Sequence, residues 1–258
     1  MRISDDGELW IRRFHPSPDS SIRLVCFPHA GGSASFFYPL SRALFPKVEV
    51  LAVQYPGRQD RHGEPCVDSI PELAERLLEL IVDGTAPPFA FFGHSMGALL
   101  AFELAGLLER KVGIEPAALF VSACRAPSLP PGGEYAHLLD DEGLIAAVER
   151  LGGTDARVLA DAEMRRLVLP VIRSDFRAAE TYRPERTRVL RCVINAMIGD
   201  ADPRASVQDA EAWKEHTTGG FNLRVFPGGH FYLGDRQPAI IGHIADGLDR
   251  AASWSTRE

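Results

Sequence analysis

Short runs of apolar residues alternate with stretches of helical periodicity along most of the chain. The near-continuous apolar run at residues 22–27 is typical of a strand that is buried on both faces of a sheet. Between such runs, apolar positions recur every three or four residues, as at Ile70, Leu73, Leu77 and Ile81, which predicts helices with one buried face. This alternation favours an α/β fold with a mostly parallel sheet and helices on both of its faces.

The element boundaries follow from the same pattern. Strands are predicted at residues 9–14, 22–27, 48–53, 89–92, 117–123, 189–198 and 223–226. Helices are predicted at residues 35–45, 69–84, 98–105, 207–215 and 238–248. The helix at residues 69–84 has the clearest ends, because Ser69 and Glu72 form a capping box at its start and Gly84 stops it.

The alternation breaks after residue 123. Residues 126–133 are rich in proline and glycine and continue neither a helix nor a strand, and about fifty helix-prone residues follow. One amphipathic helix is predicted to stop at Gly152, and a second to begin at Ala162 and to be interrupted by Pro170. We therefore expect a single domain over residues 1–258, with a helical insertion at about 128–184 that forms a lid.

Composition narrows the class of protein. The formal charge of −7 is spread without long single-sign runs, which predicts neither a nucleic-acid groove nor attraction to an anionic membrane. Cys26, Cys66, Cys124 and Cys192 are scattered singly, so we expect free thiols, most of them buried. With no signal peptide and no apolar run long enough to span a bilayer, we expect a cytoplasmic protein that does not bind membranes. We also expect it to be a monomer.

The first chemical signal is Gly93-His94-Ser95-Met96-Gly97, which joins a predicted strand to a predicted helix. This is the G-x-S-x-G nucleophile elbow in its required context. Its glycines permit a sharp turn that holds the serine hydroxyl exposed above the sheet, in a strained backbone conformation. Ser95 is therefore the predicted nucleophile of an acyl-transfer reaction.

A serine nucleophile needs a base, and His230 is the predicted one. His230 lies just after the last predicted strand, where a loop at the carboxyl edge of the sheet reaches Ser95. His94 adjoins Ser95, but successive side chains diverge around a tight turn, and His29 is expected to shape its own loop. The other histidines are expected at the surface or in the core.

Two carboxylates compete for the role of the acid that orients His230. Asp200 and Asp202 both follow the strand predicted to end at Ile198. We favour Asp202, because the G-x-x-D spacing from Gly199 lets the loop turn before the side chain points back toward the histidine. Asp200 stays the alternative, and whichever of the two is not the acid stabilises the turn.

The oxyanion of a tetrahedral intermediate needs preset donors, which are usually backbone amides. Met96, the residue after the nucleophile, supplies one, and the glycine-rich loop at residues 28–32 supplies the other from Ala30, with Gly31 as a close alternative. No dinucleotide fingerprint, P-loop or metal-ligand spacing occurs, so neither a cofactor nor a metal is expected.

Five motifs in a fixed order carry a family resemblance. They are Pro28-His29-Ala30-Gly31-Gly32, Gln54-Tyr55-Pro56-Gly57-Arg58, Gly93-His94-Ser95-Met96-Gly97, Gly199-Asp200-Ala201-Asp202 and Gly229-His230-Phe231. With them the chain resembles, over about residues 22–248, the type II thioesterases, discrete α/β-hydrolases that accompany polyketide synthases and non-ribosomal peptide synthetases. The motif at residues 54–58 has no predicted role beyond that of a loop near the site.

The resemblance implies hydrolysis of the thioester between an acyl group and the phosphopantetheine arm of an acyl or peptidyl carrier protein, clearing stalled or wrongly loaded units. Ser95, His230 and Asp202 carry over as the triad, and Ala30 and Met96 as the oxyanion donors. An esterase or lipase, or an acyltransferase, acting on diffusible acyl esters is the alternative, since fold does not fix substrate.

Two further sets of residues are candidates for contacts with the substrate and the partner. Apolar side chains of the helical insertion are candidates for an acyl pocket, with ordinary packing inside the insertion as the alternative. A basic cluster at its end is a candidate docking site for the carrier protein, with a solvated face as the alternative. The pocket candidates are Leu138, Leu144, Val148, Leu167 and Phe176, and the docking candidates are Arg183, Arg186, Arg188 and Arg191.

Overall fold

The apolar runs of the chain form the strands of one sheet. The computed structural model describes residues 5–84, 88–129, 135–153, 159–184, 188–235 and 237–255. Within these residues the strand order is β1-β3-β2-β4-β5-β6-β7, with β1 antiparallel to β3 and the other neighbours parallel. The strands are β1 (Ile11–Arg12), β2 (Ile22–Phe27), β3 (Val48–Val53), β4 (Phe89–His94), β5 (Ala118–Ser122), β6 (Val193–Gly199) and β7 (Phe221–Phe226).

Helices cover both faces of this sheet. They are α1 (Asp5–Trp10), α2 (Tyr38–Leu44), α3 (Ile70–Gly84), α4 (Met96–Lys111), α5 (Asp141–Leu151), α6 (Ala162–Thr181), α7 (Val207–Glu211), α8 (Tyr232–Asp235) and α9 (Gln237–Ser255). Short 3-10 helices occupy Ala34–Phe37, Gln59–Arg61, Ala136–Leu138 and Ala212–His216. No helix in the described ranges is long and apolar enough to cross a bilayer.

Side chains of β2 illustrate how the core divides into two layers. Leu24 and Cys26 pack in the cluster formed with α2 and α9, whereas Val25 and Phe27 pack in the cluster formed with α3 and α4. Alternation of this kind follows from the two-residue period of a strand, and it requires both sets of side chains to be apolar. The expected α/β-hydrolase fold, with a mostly parallel sheet between helices, is confirmed.

Two predicted boundaries near the amino terminus are wrong. Residues 9–14 were expected as a strand, but only Ile11 and Arg12 pair with β3, and Trp10 ends a helix. The Trp10 ring lies 4.3 Å from the Arg61 guanidinium, a cation–π contact that the apolar pattern does not reveal. The helix expected at residues 35–45 is divided at Tyr38, because Pro39 favours a new first turn there.

The prediction that Pro170 interrupts a helix is also wrong. Helix α6 continues through Pro170 from Ala162 to Thr181. An interior proline costs a helix about 3 kcal/mol, since one hydrogen bond is lost. Pro170 lies on the exposed side of α6, and the buried neighbours Leu169, Val171 and Ile172 hold the helix against the protein.

The other predicted helix and strand boundaries agree with the structure or differ from it by a few residues. Helix α3 ends at Gly84 as predicted, and the Ser69 hydroxyl accepts a hydrogen bond from the Glu72 amide at 3.4 Å. The strand expected from residue 189 begins only at Val193, because Leu190 forms an isolated bridge with Thr217. All four cysteines are free, and all except the partly exposed Cys66 are buried.

The segment between β5 and β6 contains Ala136–Leu138, α5 and α6, which we call the helical insertion. Its helices share an apolar cluster of their own that includes Leu144, Val148, Ile172 and Phe176. Gly152 ends α5 in a left-handed conformation, as predicted. Part of the proline- and glycine-rich stretch, at residues 130–134, lies outside the described residues.

The apolar cluster of the helical insertion predicts how stability changes when one of its side chains is shortened. Leu144 is fully buried, so Leu144→Ala is expected to lower the free energy of unfolding by about 2–5 kcal/mol through lost burial and a residual cavity. Leu138 is 74% exposed, so Leu138→Ala is the matched control and is expected to change stability by less than about 0.5 kcal/mol. Denaturant unfolding measures both, and equal effects of the two substitutions would contradict this packing.

Candidate active site

Ser95 lies at the corner between β4 and α4, in a conformation that few residues other than glycine adopt. Its φ is 54° and its ψ is −118°. The Ser95 amide donates a hydrogen bond to the Ser122 carbonyl at 2.8 Å, which ties the corner to the end of β5. Positive φ in a non-glycine residue is a form of backbone strain that clusters at functional sites. The elbow predicted from the G-x-S-x-G motif is therefore present.

The two glycines of the motif are required by close backbone approach. A Cβ atom on Gly93 would lie 2.2 Å from the Gly97 carbonyl oxygen, and one on Gly97 would lie 2.0 Å from the Phe27 carbonyl oxygen. Both distances are well below van der Waals contact. Only glycine at these positions lets α4 begin directly against the end of β2.

His230 and Asp202 meet Ser95 at the carboxyl edge of the sheet. His230 Nε2 lies 3.0 Å from Ser95 Oγ, and His230 Nδ1 lies 3.0 and 2.9 Å from the two oxygens of Asp202. Because a carboxylate only accepts hydrogen bonds, Nδ1 carries the proton and Nε2 is free to accept from the serine hydroxyl. The side chains of His230 and Asp202 are only 3% and 0% exposed, so water does not compete for these bonds.

Asp200 has a different contact. Its Oδ1 accepts a hydrogen bond from the Gly228 amide at 2.9 Å, which fastens the loop after β6 to the loop that carries His230. Asp202 also accepts from the Arg204 amide at 2.8 Å, so its own loop holds it in place. The geometry thus brings Asp202, and not Asp200, to the histidine.

Ala30 and Met96, the two predicted oxyanion donors, both line a cavity of about 40 Å³ that also contacts Ser95 and His230. The alternative donor, Gly31, has another partner: its amide donates to Asp175 Oδ2 at 2.7 Å. Of the two candidates in the loop at residues 28–32, the geometry favours Ala30.

The loop after β3 supports the oxyanion loop, a role that the sequence did not indicate. Gln54 Oε1 accepts from the Ala34 amide at 2.9 Å, and the Tyr55 hydroxyl donates to the Pro28 carbonyl at 3.1 Å. Arg58 Nη1 donates to the Gly32 carbonyl at 3.0 Å. The motif at residues 54–58 therefore braces residues 28–34 at three points, through polar side chains that are buried and so escape an apolar pattern.

A buried ion pair joins the loop at residues 54–58 to the helical insertion. Arg58 Nη1 and Nη2 bind the two oxygens of Asp175 at 2.6 and 2.9 Å, and the two side chains are 7% and 1% exposed. Burial alone lowers the pKa of Arg58, but the charge and hydrogen bonds of Asp175 outweigh it, so the pKa is raised above its ordinary value. The sequence did not mark Asp175, which lies on α6, as part of the site.

His94 and His29 lie near His230, but neither makes a contact with Ser95 through which it could act as the base. His94 Nδ1 is 2.9 Å from the Ser122 hydroxyl, which in turn is 2.7 Å from the Tyr232 hydroxyl. The His29 ring packs edge-on against Phe36, and its Nδ1 has no hydrogen-bond partner among the described residues. Burial lowers the pKa of His94 well below its ordinary value, so it is neutral.

Two cavities flank Ser95, and Arg204 lines both. The larger, of about 140 Å³, has a mostly apolar lining that also carries the charged residues Arg125, Arg183 and Glu180. The smaller is the 40 Å³ cavity, whose wall is largely apolar. Its apolar lining comes mainly from the helical insertion and from Phe231, with Val148, Leu151, Ile172 and Phe176.

The five residues expected to line an acyl pocket lie in different surroundings. Val148 and Phe176 line the smaller cavity, whereas Leu144 is buried inside the insertion's own cluster. Leu138 and Leu167 are 74% and 61% exposed and border neither cavity beside Ser95. Helical periodicity could not separate these cases, because it identifies an apolar face without telling what that face contacts.

The described arginines of the expected basic docking cluster differ in their contacts. Arg188 is bound to Glu103 with its side chain only 8% exposed, so it is a structural residue and the prediction for it is wrong. Arg191 pairs with Glu115 at 3.0 Å, and Arg183 donates to the Tyr135 hydroxyl at 3.2 Å beside the larger cavity. Arg186 lies outside the described residues.

Comparison with known proteins gives consistent matches. The family model for the thioesterase domain matches residues 22–248. Thioesterase PikA5 of Streptomyces venezuelae is 52% identical, over 95% of this chain and 88% of its own. A probable cadicidin biosynthesis thioesterase of Streptomyces griseus is 48% identical, over 96% of this chain and 69% of its own. The structure of BorB, a type II thioesterase from the borrelidin biosynthetic cluster, is similar with a TM-score of 0.86 at 50% identity, covering 93% of this chain and 98% of that one.

His29 predicts a loss of stability in acid. Burial, followed by the charges of His230 and Arg58, lowers the pKa of His29 from 6.5 to about 3. Below pH 6.5 the unfolded chain therefore takes up a proton at this residue that the folded protein does not, and the stability due to neutral His29 falls as the pH falls toward 3. Relative to His29→Gln, the unchanged protein should lose unfolding free energy steadily from pH 6.5 to 4.5.

Denaturant unfolding at several pH values measures this difference. His62→Gln, which changes an exposed histidine, is the control for a general effect of removing a histidine. The unfolding free energy of the unchanged protein, minus that of His29→Gln, should therefore fall as the pH falls. A value that stays constant or rises would contradict a neutral His29.

Proposed function

The chain belongs to the thioesterase family as a type II thioesterase, and from that premise we propose that it hydrolyses acyl thioesters on the phosphopantetheine arm of a carrier protein. The observation that carries the proposal is the hydrogen-bonded series from Ser95 through His230 to Asp202, beside a cavity lined by the helical insertion. The chemistry is that of a serine hydrolase with a covalent acyl-enzyme.

In the first half-reaction, His230 Nε2 takes the proton of the Ser95 hydroxyl while Ser95 Oγ attacks the thioester carbonyl carbon. The carbonyl oxygen becomes an oxyanion that the amides of Ala30 and Met96 stabilise. When the tetrahedral intermediate collapses, the carbon–sulfur bond breaks and His230 returns the proton to the departing sulfur. The arm leaves as a free thiol, and the acyl group stays on Ser95.

In the second half-reaction, water replaces the thiol. His230 Nε2 takes a proton from the water as its oxygen attacks the acyl carbon, and the same amides stabilise the second oxyanion. Collapse breaks the bond to Ser95 Oγ, which regains its proton from His230, and the carboxylic acid is released. Asp202 holds His230 in the tautomer that both steps need and stabilises its protonated form.

The two cavities support a division of the substrate. The wall of the smaller cavity, with Val148, Ile172 and Phe176, suits the acyl group, and the larger cavity of about 140 Å³, which carries charged residues beside its apolar lining, suits the amide-containing arm. In this arrangement the helical insertion acts as the lid of a single catalytic domain. The similar proteins PikA5 and BorB are a thioesterase and a type II thioesterase of a biosynthetic cluster, which fits removal of unwanted acyl groups from an assembly line.

The proposal predicts a preference for carrier-bound substrates. A panel of acyl groups is loaded on a carrier protein and, in parallel, supplied as small soluble oxygen esters, and release is followed by intact mass. Release from the carrier should be faster, and Ser95→Ala should abolish it. Faster turnover of the soluble esters would instead select an esterase, transfer to an added thiol or alcohol in place of water would select an acyltransferase, and undiminished turnover by Ser95→Ala would rule out the nucleophile.

The contacts of the two aspartates predict unequal effects of their removal. Asp202→Asn should lower kcat by about four orders of magnitude, as loss of the orienting carboxylate does in a well-studied serine protease. Asp200→Asn is the matched control, because the new amide oxygen can still accept from the Gly228 amide, and it should change kcat little. Steady-state hydrolysis of one carrier-bound thioester measures both, and a larger loss from Asp200→Asn would assign the acid to Asp200.

A further inference from the structure

Three segments that are far apart in the sequence meet at the Arg58–Asp175 ion pair. Arg58 belongs to the loop after β3, Asp175 to helix α6 of the insertion, and both contact the loop that carries Ala30. The catalytic steps described above use Ala30 but neither charged residue. The question is what a fully buried ion pair contributes at this place.

The hydrogen bonds show which groups the pair holds. Asp175 Oδ2 accepts from the Gly31 amide at 2.7 Å and from Arg58 Nη1 at 2.6 Å, and the same Nη1 donates to the Gly32 carbonyl at 3.0 Å. Side chains therefore fix the peptide group before Gly31 and the peptide group after Gly32. Gly31 itself has a φ of 75°, and a Cβ atom there would lie 2.9 Å from Ile172 of α6, so the loop lies directly against the insertion.

The amide of Ala30 lies between two anchors. On one side the Tyr55 hydroxyl holds the Pro28 carbonyl at 3.1 Å, and on the other Asp175 holds the Gly31 amide. An oxyanion donor works only when its N–H points at the position of the developing charge, within a narrow range of distance. If the Gly31 anchor is lost, the loop can rotate about Ala30 and the N–H loses its direction.

We propose that Asp175 and Arg58 are positioning residues that complete the oxyanion hole when helix α6 is seated over the active site. Asp175 is the only one of these groups that comes from the insertion, so the direction of the Ala30 N–H depends on where the insertion lies. Efficient acyl transfer is thereby coupled to a closed insertion. This inference rests on the proposed function, because it assigns a purpose to the donor that the acyl-transfer steps require.

Stability alone is a weak reason for such a pair. Replacing a buried ion pair by apolar residues of similar volume is often neutral or even stabilising, because the charges need no longer be removed from water. The insertion also has other attachments to the rest of the protein. Arg177 of the same helix pairs with Asp68 at 2.8 Å in an exposed position, and Ala178 and Tyr182 pack in the main core.

These contacts supply a matched set of variants. The double variant Arg58→Met/Asp175→Leu keeps the buried volume but removes the acceptor for the Gly31 amide and the donor to the Gly32 carbonyl. Arg177→Gln removes an ion pair between the same helix and the body of the protein without touching the oxyanion loop. The double variant should lose about a hundredfold in kcat, close to the loss of one oxyanion donor, with KM changed by less than about threefold. Arg177→Gln should leave both constants unchanged.

A second measurement separates positioning from general damage. A short alkylboronic acid forms a tetrahedral adduct with an activated serine and places an oxygen in the oxyanion hole, whereas an alkyl-pantetheine thioether has no carbonyl and probes only ground-state binding. The double variant should bind the boronic acid more weakly by about the factor lost in kcat/KM and should bind the thioether as the unchanged protein does. Equal weakening for both ligands would indicate a displaced insertion and would overturn the proposal.

If the double variant does not fold, Asp175→Asn tests the same point. One amide oxygen cannot satisfy both the Gly31 amide and the Arg58 fork, so kcat should fall by about tenfold with KM unchanged. A folded variant of either kind with unchanged kcat would overturn the proposal. The soluble oxygen esters keep this test separate from the proposed substrate, because their hydrolysis needs the same oxyanion hole even if carrier-bound thioesters are not hydrolysed.

Discussion

The absence of a side chain at Gly97 determines the geometry of the whole site. A Cβ atom there would lie 2.0 Å from the Phe27 carbonyl oxygen, so α4 can begin against the end of β2 only with glycine. The chain after β2 leads directly to Ala30, and α4 begins directly after Ser95. One backbone contact therefore places the nucleophile and the amides of Ala30 and Met96 beside each other. The same approach explains why Ser95 is held in a strained conformation with a φ of 54°.

Asp202 and His230, the proposed acid and base, lie beside Ser95 because of the geometry of a parallel sheet. Asp202 follows β6 and His230 follows β7, and the carboxyl ends of parallel strands meet at one edge. The sequence could point to both residues because each follows an apolar run closely, in a glycine-containing loop. The choice between Asp200 and Asp202 needed the structure, because both carboxylates satisfy the same local pattern.

What the sequence could not predict depends on contacts between distant residues. Arg58 and Asp175 are 117 residues apart, and neither a buried arginine nor a buried aspartate is marked by apolar periodicity. The uninterrupted course of α6 through Pro170 likewise depends on how the neighbouring side chains pack. The five expected pocket residues are all apolar positions of the helical insertion, yet only Val148 and Phe176 border the smaller cavity beside Ser95. Local pattern thus indicated Ser95, Asp202 and His230, which the structure brings together, whereas the residues that hold and cover them depend on tertiary contacts.

The central claim is that Ser95 carries the acyl group between carrier and water. Rapid-quench intact-mass spectrometry and peptide mapping, after the protein is mixed with excess acyl-carrier protein, test it most directly. The acyl mass is expected on the peptide that contains Ser95, appearing no more slowly than the carrier is deacylated and disappearing as the free acid forms. Deacylation of the carrier with the Ser95 peptide unmodified throughout, or with the acyl group on another residue, would contradict the account.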